Sequence, residues 1–185
     1  MERIESHLQE AGQVILSTVG LSAQIAEVAQ ALITSLKAGG TIFWCGNGGS
    51  AADSQHLSAE LIGRYKHERK AISSIALTTD TSVITAISND FGFEFVFSRQ
   101  LEGLARPGDV LIALTTSGDS KSVMNAVDKA QELGVTSVIL TSTRYSGNDG
   151  DFVLKVASEK TELIQHAHTA IGHILCELIE SSSLA

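Results

Sequence analysis

The stretch from Thr41 to Arg64, TIFWCGNGGSAADSQHLSAELIGR, constrains the fold of this chain more than any other. Thr41–Cys45 is a short apolar, β-branched and aromatic run that reads as a buried strand. The chain then turns through Gly46-Asn47-Gly48-Gly49 and enters a helix. Ser50 is expected at the N-cap, with Asp53 three residues on, a capping-box-like start. Such a junction leaves several backbone N–H groups pointing outward at the positive end of a helix dipole, which suits an anion. The glycines allow a tight bend and the close approach of a ligand to the backbone. His56 and Glu60 follow at i, i+4 and so share one face of that helix. An anion cradle followed by a His/Glu pair is the pattern of an active site.

The rest of the chain fits around this unit. Ile4, Leu8, Ala11 and Ile15, then Ile25, Val28, Leu32, Ile33 and Leu36, predict two leading helices, stopped by Gly39-Gly40. These are more than the first strand needs, so their apolar faces serve either a second subunit or the chain's own sheet. Ser74–Leu77, Val110–Leu114, Val138–Leu140 and Phe152–Val156 are further strands. Thr79–Ile87, Glu94–Leu104, the stretch through Val123 and Ala130, and 160 to about 183 are further helices, with a turn at Asn89-Asp90-Phe91-Gly92. Ser142–Asp151 is irregular and polar. Apolar strands alternating with helices predict an α/β fold, a parallel sheet covered on both faces. In such sheets ligands bind beyond the carboxyl ends of the strands. Two Gly/Ser/Thr-rich loops, 46–50 and 115–120, lie there.

Bulk properties narrow the function. A chain of 185 residues, 43% apolar with one proline, is expected to be one globular domain spanning 1–185. Its formal net charge of −8 argues against wrapping nucleic acid or coating an anionic membrane. Cys45 and Cys176 form no metal or redox spacing and point to a reduced compartment. No uninterrupted apolar run reaches ~18 residues, and the start lacks a signal-peptide pattern, so a cytoplasmic location without membrane or nucleic acid partners is expected.

The glycine motif alone is weak. Gly46 to Ala51 fits a relaxed dinucleotide fingerprint, but the nearest acid after the next strand, Asp80, lies about thirty residues on rather than ~20. A purely structural turn is the other plain reading. The second loop, Thr115-Thr116-Ser117-Gly118-Asp119-Ser120, adds hydroxyl donors at another helix start and suits a phosphate monoester. Taken with Ser50, it makes a sugar-phosphate pocket the better reading. His56 and Glu60 beyond that cradle are candidate metal ligands or an acid/base pair. The last helix carries Gln165, His166, His168 and His173; His166 fits a solvated face, whereas His173, in an apolar stretch, needs a partner.

These residues together carry a resemblance. CGNGGSAADSQHLSAELIGRY at 45–65, AISNDFGFEFVFSRQ at 86–100, GDVLIALTTSGDSKSV at 108–123 and IQHAH…HIL at 164–175 resemble the sugar isomerase (SIS) domain family and, within it, the phosphoheptose isomerases. The resemblance covers essentially the whole chain. It implies a three-layer, flavodoxin-like sandwich with a five-stranded parallel sheet and two extra N-terminal helices (1–38), built into a homotetramer with active sites between subunits. The implied reaction converts sedoheptulose 7-phosphate to D-glycero-D-manno-heptose 7-phosphate through an enediol, towards ADP- or GDP-heptose for lipopolysaccharide or capsule. By the same resemblance Ser50, Thr115, Ser117 and Ser120 hold the phosphate. Asn47, Gly48, Gly49, Asn89 and Asp90 line the sugar site, with Thr116, Arg64 and Gln165 also in contact with substrate. One Zn²⁺ per subunit would be held by His56, Glu60, Gln165 and His173. Glu60 is the candidate base for C1 and C2, and His173 the acid serving the sugar oxygens.

The sequence departs from the family around Gln165, where Glu162, Leu163 and His166 stand in place of the usual acid, arginine and glutamate, and 142–151 is shorter than the usual glycine-rich loop. Gln165 and His173 are also about 12 Å apart along a straight helix, so one ion reaches both only through a bend, a non-helical Gln165 or two subunits. The rival functions are a non-catalytic SIS protein binding the replication initiator DnaA, disfavoured by the presence of Glu60 and His173 together, and a sugar-phosphate sensor, whose usual attached module does not fit in this length.

Overall fold

The computed structural model describes residues 1–182. In chain order it contains α1 (Glu2–Ser17), α2 (Ser22–Lys37), β1 (Ile42–Gly46), α3 (Gly49–Ile62), β2 (Ser74–Ala76), α4 (Thr81–Asp90), α5 (Ser98–Leu104), β3 (Val110–Leu114), α6 (Lys121–Glu132), β4 (Thr136–Ser142), β5 (Phe152–Val156) and α7 (Thr161–Glu180). Every strand pairing is parallel, in the order β2-β1-β3-β4-β5. The order reverses between β1 and β3, so the loops that follow those two strands flank the crevice where α/β sheets take ligands.

Alternation along the strands divides the core into two layers. Ile42, Trp44, Ile112, Leu140 and Leu154 face α2, α3 and α7, whereas Phe43, Cys45, Leu111, Ala113 and Ile139 face α5 and α6. The three central strands, β1, β3 and β4, are almost wholly buried, as a sheet covered on both faces requires, while the edge strands β2 and β5 are partly exposed. Where Trp44 brings a polar atom inside, its Nε1–H donates to Ser74 Oγ at 2.8 Å, and Ser74 donates onward to Ser58 Oγ at 2.9 Å.

Several boundaries differ from the sequence reading. The helix after β1 begins at Gly49, not after Ser50, because Gly48 takes the N-cap with a left-handed φ of 57° that an L side chain resists. Ser50 is thereby drawn into the first turn and buried. Asn89 and Asp90 close α4 rather than forming the turn, which falls at Phe91 and at Gly92, φ 104°. The predicted helix 94–104 is a 3₁₀ turn at Phe93–Phe95 followed by α5. The last helix ends at Glu180, and residue 183, where it was expected to stop, lies outside the described residues.

The leading helices split their roles. Ile25, Val28, Ala29 and Leu32 of α2 are buried in the chain's own core. In α1 only Val14 is buried, while Ile4, Leu8 and Leu16 are 63%, 65% and 69% exposed. The Glu2–Lys37 pair also contains a window apolar enough by composition alone to cross a membrane, contrary to the count of uninterrupted apolar runs. The core helix of a globular protein can meet the same compositional condition.

Candidate active site

The loops after β1 and β3 enclose a cleft of about 400 Å³ at the reversal of strand order. Asn47, Gly48, Gly49, Ser50, Thr115, Thr116, Ser117, Ser120 and Gln165 all line it, together with Thr161. Among the described residues the cleft bears no cationic side chain; its donors are hydroxyls, amides and the starts of α3 and α6, which suit an anion by fixed dipoles. The two loops are already joined. Asn47 Nδ2 donates to Ser120 Oγ at 2.7 Å and to Ser122 Oγ at 2.9 Å. Thr115 Oγ1 accepts from the Gly118 N–H at 3.1 Å, and Ser117 Oγ from the Asp119 N–H at 3.2 Å.

Beyond the cleft, α3 and α7 run side by side in the same direction and meet turn by turn. A β-carbon on Gly49 would stand 2.5 Å from Gln165 Nε2, so glycine makes room for that amide. Thr169 donates to Asp53 Oδ1 at 3.0 Å, and Leu57 fills the space that Gly172 leaves open. Next, His56 Nε2 lies 2.8 Å from His173 Nε2 and 3.6 Å from Glu60 Oε1. Burial pushes the Asp53 carboxyl above its ordinary range, with the Thr169 hydroxyl and the nearby His56, His166 and His173 pulling it back down.

The ligand-bearing atoms of His56, Glu60 and His173 all lie within 4.8 Å of one another. Two imidazole nitrogens and a carboxylate oxygen this close together are a donor set that can hold a metal ion. The donor set therefore fits a divalent first-row cation. Gln165 does not join this group within one chain. It sits in regular helix two turns earlier, against Gly49, and faces the anion cleft.

Other predicted contacts also stand apart in the single chain. Asn89 and Asp90 are exposed at the end of α4, where Asn89 Nδ2 donates to Asp90 Oδ1 at 2.8 Å, and Arg64 is exposed just past α3. Asp80 caps α4 by accepting the Val83 N–H at 3.0 Å, the role of a helix cap and not of a ribose ligand. Leu163, which stands in place of the arginine usual in the family, is fully buried in the core. His166 is exposed, as its solvated position predicts. Sequence reasoning missed Thr161, whose only signal is its i, i+4 spacing to Gln165, and Tyr65, whose ring stacks on His173 at 5.4 Å.

A doubly wound sheet with two hydroxyl-rich loops at the switch point and a His/Glu/His cluster on the adjoining helices defines a sugar-phosphate-handling protein of the SIS class. The SIS domain family matches residues 7–142. The phosphoheptose isomerase of Akkermansia muciniphila is 51% identical over 163 residues, 86% of each chain, and that of Aquifex aeolicus is 46% identical over 97% of this chain and 96% of its own. The structure of the phosphoheptose isomerase from Neisseria gonorrhoeae superposes with a TM-score of 0.90 at 37% identity, covering 98% of both chains. The chain belongs to the phosphoheptose isomerase family and is an isomerase. A non-catalytic DnaA-binding role finds no support among these relatives.

Proposed function

We propose that the protein interconverts sedoheptulose 7-phosphate and D-glycero-D-manno-heptose 7-phosphate, an early step towards nucleotide-activated heptose for lipopolysaccharide or capsule. The observation that carries this reading is the pairing of a cation-free hydroxyl cleft with a separate His/Glu/His cluster on α3 and α7. The cleft takes the phosphate: Ser50, Thr115, Ser117 and Ser120 donate to its oxygens, and Asn47, Gly48 and Gly49 contact the adjoining carbons. Glu60 removes the proton from one of C1 and C2 and returns it to the other, and His173 moves protons at the sugar oxygens. Both are only partly exposed, so the enediol forms against protein and not in open water. Zn²⁺ held by His56, Glu60 and His173 would polarise the carbonyl and stabilise negative charge on oxygen. A carboxylate bound to the ion is a poorer base, so Glu60 serves the two roles in different states.

Scale supports a site shared between copies. Gly49 and Glu60 are separated by about 16 Å along α3. An extended seven-carbon sugar spans only about 10 Å from C1 to its phosphate, with bonds near 1.5 Å. A substrate seated in one cleft therefore meets a Glu60 from a neighbouring copy, and Gln165 beside that cleft can complete a neighbour's cation site. The outward apolar residues of α1 supply surface for such an assembly, which we take to be a homotetramer in the cytoplasm. Cys45 and Cys176 are free and buried, which suits a reducing compartment.

The test is sedoheptulose 7-phosphate in D₂O followed by NMR, with and without Zn²⁺, beside Glu60→Gln. Aldose product and deuterium at C1 or C2 are expected for the wild type and neither for the variant. No product and no exchange from the wild type under either condition would sink the assignment.

A further inference from the structure

Between α3 and β2 the chain from Gly63 to Ile72 has no regular hydrogen-bonded structure, yet it is held from beneath. Glu180, the last residue of α7 and 3% exposed, accepts the backbone N–H groups of Tyr65 at 3.0 Å, Lys66 at 2.7 Å and His67 at 3.0 Å. It also accepts Arg69 Nε at 3.1 Å, in an ion pair whose side chains are each 1% exposed. Burial alone would raise this carboxyl, but the three N–H groups and the guanidinium overcome it and hold it below its ordinary range. Arg69 passes the restraint on. Its Nη2 donates to the Glu60 carbonyl at 2.7 Å and its Nη1 to the Leu61 carbonyl at 2.8 Å, two acceptors that the end of α3 leaves open.

One buried ion pair thus ties the ends of α3 and α7 to the segment between them. Buried ion pairs contribute little net stability over apolar side chains of similar volume, so geometry is the better account of this one. What it positions is Tyr65. The Tyr65 ring lies nearly parallel to His173, at 20°, with centroids 5.4 Å apart, while His56 meets the same imidazole edge-on at 83°. Flanked by these two rings, the His173 imidazole turns Nε2 toward His56, 2.8 Å away, and keeps a ring nitrogen within 4.8 Å of the Glu60 carboxylate.

We propose that Tyr65, seated by the Glu180–Arg69 clamp, is a positioning residue for His173. The proposal rests on His173 being part of the site proposed above. Tyr65 needs no chemistry of its own for this role, so its ring counts and its hydroxyl does not.

The test compares Tyr65→Phe with Tyr65→Ala in the full chain through three readouts: kinetics, titration of the metal-stripped protein with Zn²⁺, and the imidazole NMR resonances of His173, assigned by their loss in His173→Gln. Tyr65→Phe is expected within about twofold of wild type throughout. Tyr65→Ala is expected to lower kcat and Zn²⁺ affinity by roughly 10- to 100-fold, the range of outer-shell partners, with KM little changed. It should also shift the His173 resonances, which lose the tyrosine ring current. Glu180→Gln is expected to move those resonances the same way; if it does not fold, the Tyr65 pair decides alone. A Tyr65→Ala protein with unchanged resonances and kcat overturns the proposal, as does a Tyr65→Phe protein as impaired as Tyr65→Ala. If the wild type proves inactive, the reading of His173 fails, and the Zn²⁺ titration, with the resonances of Glu180→Gln, which keeps the tyrosine ring, still decides whether Tyr65 sets its orientation.

Discussion

At the scale of single residues, the hydroxyls of the cleft and the carboxylate of Glu60 should fail in different ways. Ser120→Ala removes one of the donors proposed for the phosphate and one of the two acceptors that Asn47 uses to join the loops. Steady-state kinetics are expected to show KM raised by about 10- to 150-fold with kcat within a few-fold, since one hydrogen bond to a charged group is worth ~1.5–3 kcal/mol. Glu60→Gln should instead lower kcat by ~10³-fold or more, with bound substrate retained. A kcat loss for Ser120→Ala as large as that for Glu60→Gln would refute this division of labour. The residues that carry it were visible in the chain because their types are diagnostic: hydroxyls at two helix starts, and His56 with Glu60 one turn apart. Tyr65 was not, because an aromatic residue in an irregular segment carries no spacing that points to a partner more than a hundred residues away.

At the scale of elements, α7 makes the most specific demand. His168 is fully buried there and donates through Nε2 to the Thr141 carbonyl at 3.1 Å; burial lowers its pKa to about 4 from an ordinary 6.5, with the Thr141 contact opposing. The unfolded chain takes up a proton below pH 6.5 that the folded chain refuses until about 4. Stability from this residue is therefore complete above pH 6.5 and falls progressively as the pH drops to 4, by roughly 3 kcal/mol in all. Urea midpoints for wild type and His168→Gln at pH 7 and pH 5 check it: the wild type should lose more on acidification than the variant. Equal losses would mean that His168 is not held neutral. Gly172→Ala places a methyl against Leu57 and should cost about 1–3 kcal/mol in the same assay. Helices and strands were readable from periodicity, but their ends were not. Gly48 started α3 early by adopting a positive φ, a choice set by the backbone and not by the capping residue type.

For the whole molecule, the central expectation is complementation. If a cleft and its Glu60 come from different copies, mixing inactive Glu60→Gln with a cleft variant such as Ser50→Ala combined with Thr115→Ala, then allowing subunits to exchange, should restore part of the wild-type rate. Mixtures that stay inactive despite exchange confirmed by native mass spectrometry would confine the site to one chain. Replacing Leu8 and Leu16, both outward on α1, by Glu should shift the mass seen by light scattering toward smaller species. The parallel sheet and the placing of both loops at carboxyl ends of its strands followed from strand–helix alternation, whereas the strand order did not, and the separation of Gln165 from His173 could only be posed as a question by the sequence. It is answered by α7 being regular helix at both positions. The seam between α3 and α7 has an evolutionary consequence. The residues that decide how closely the two helices pack, Leu57 and Gly172, alternate along it with those proposed to do the chemistry, so on that reading drift in the core is felt at once as a change in reactivity. Such a protein has few packing substitutions to explore near its site without selection noticing, and new substrate preferences should arise more readily in the loops than along this seam.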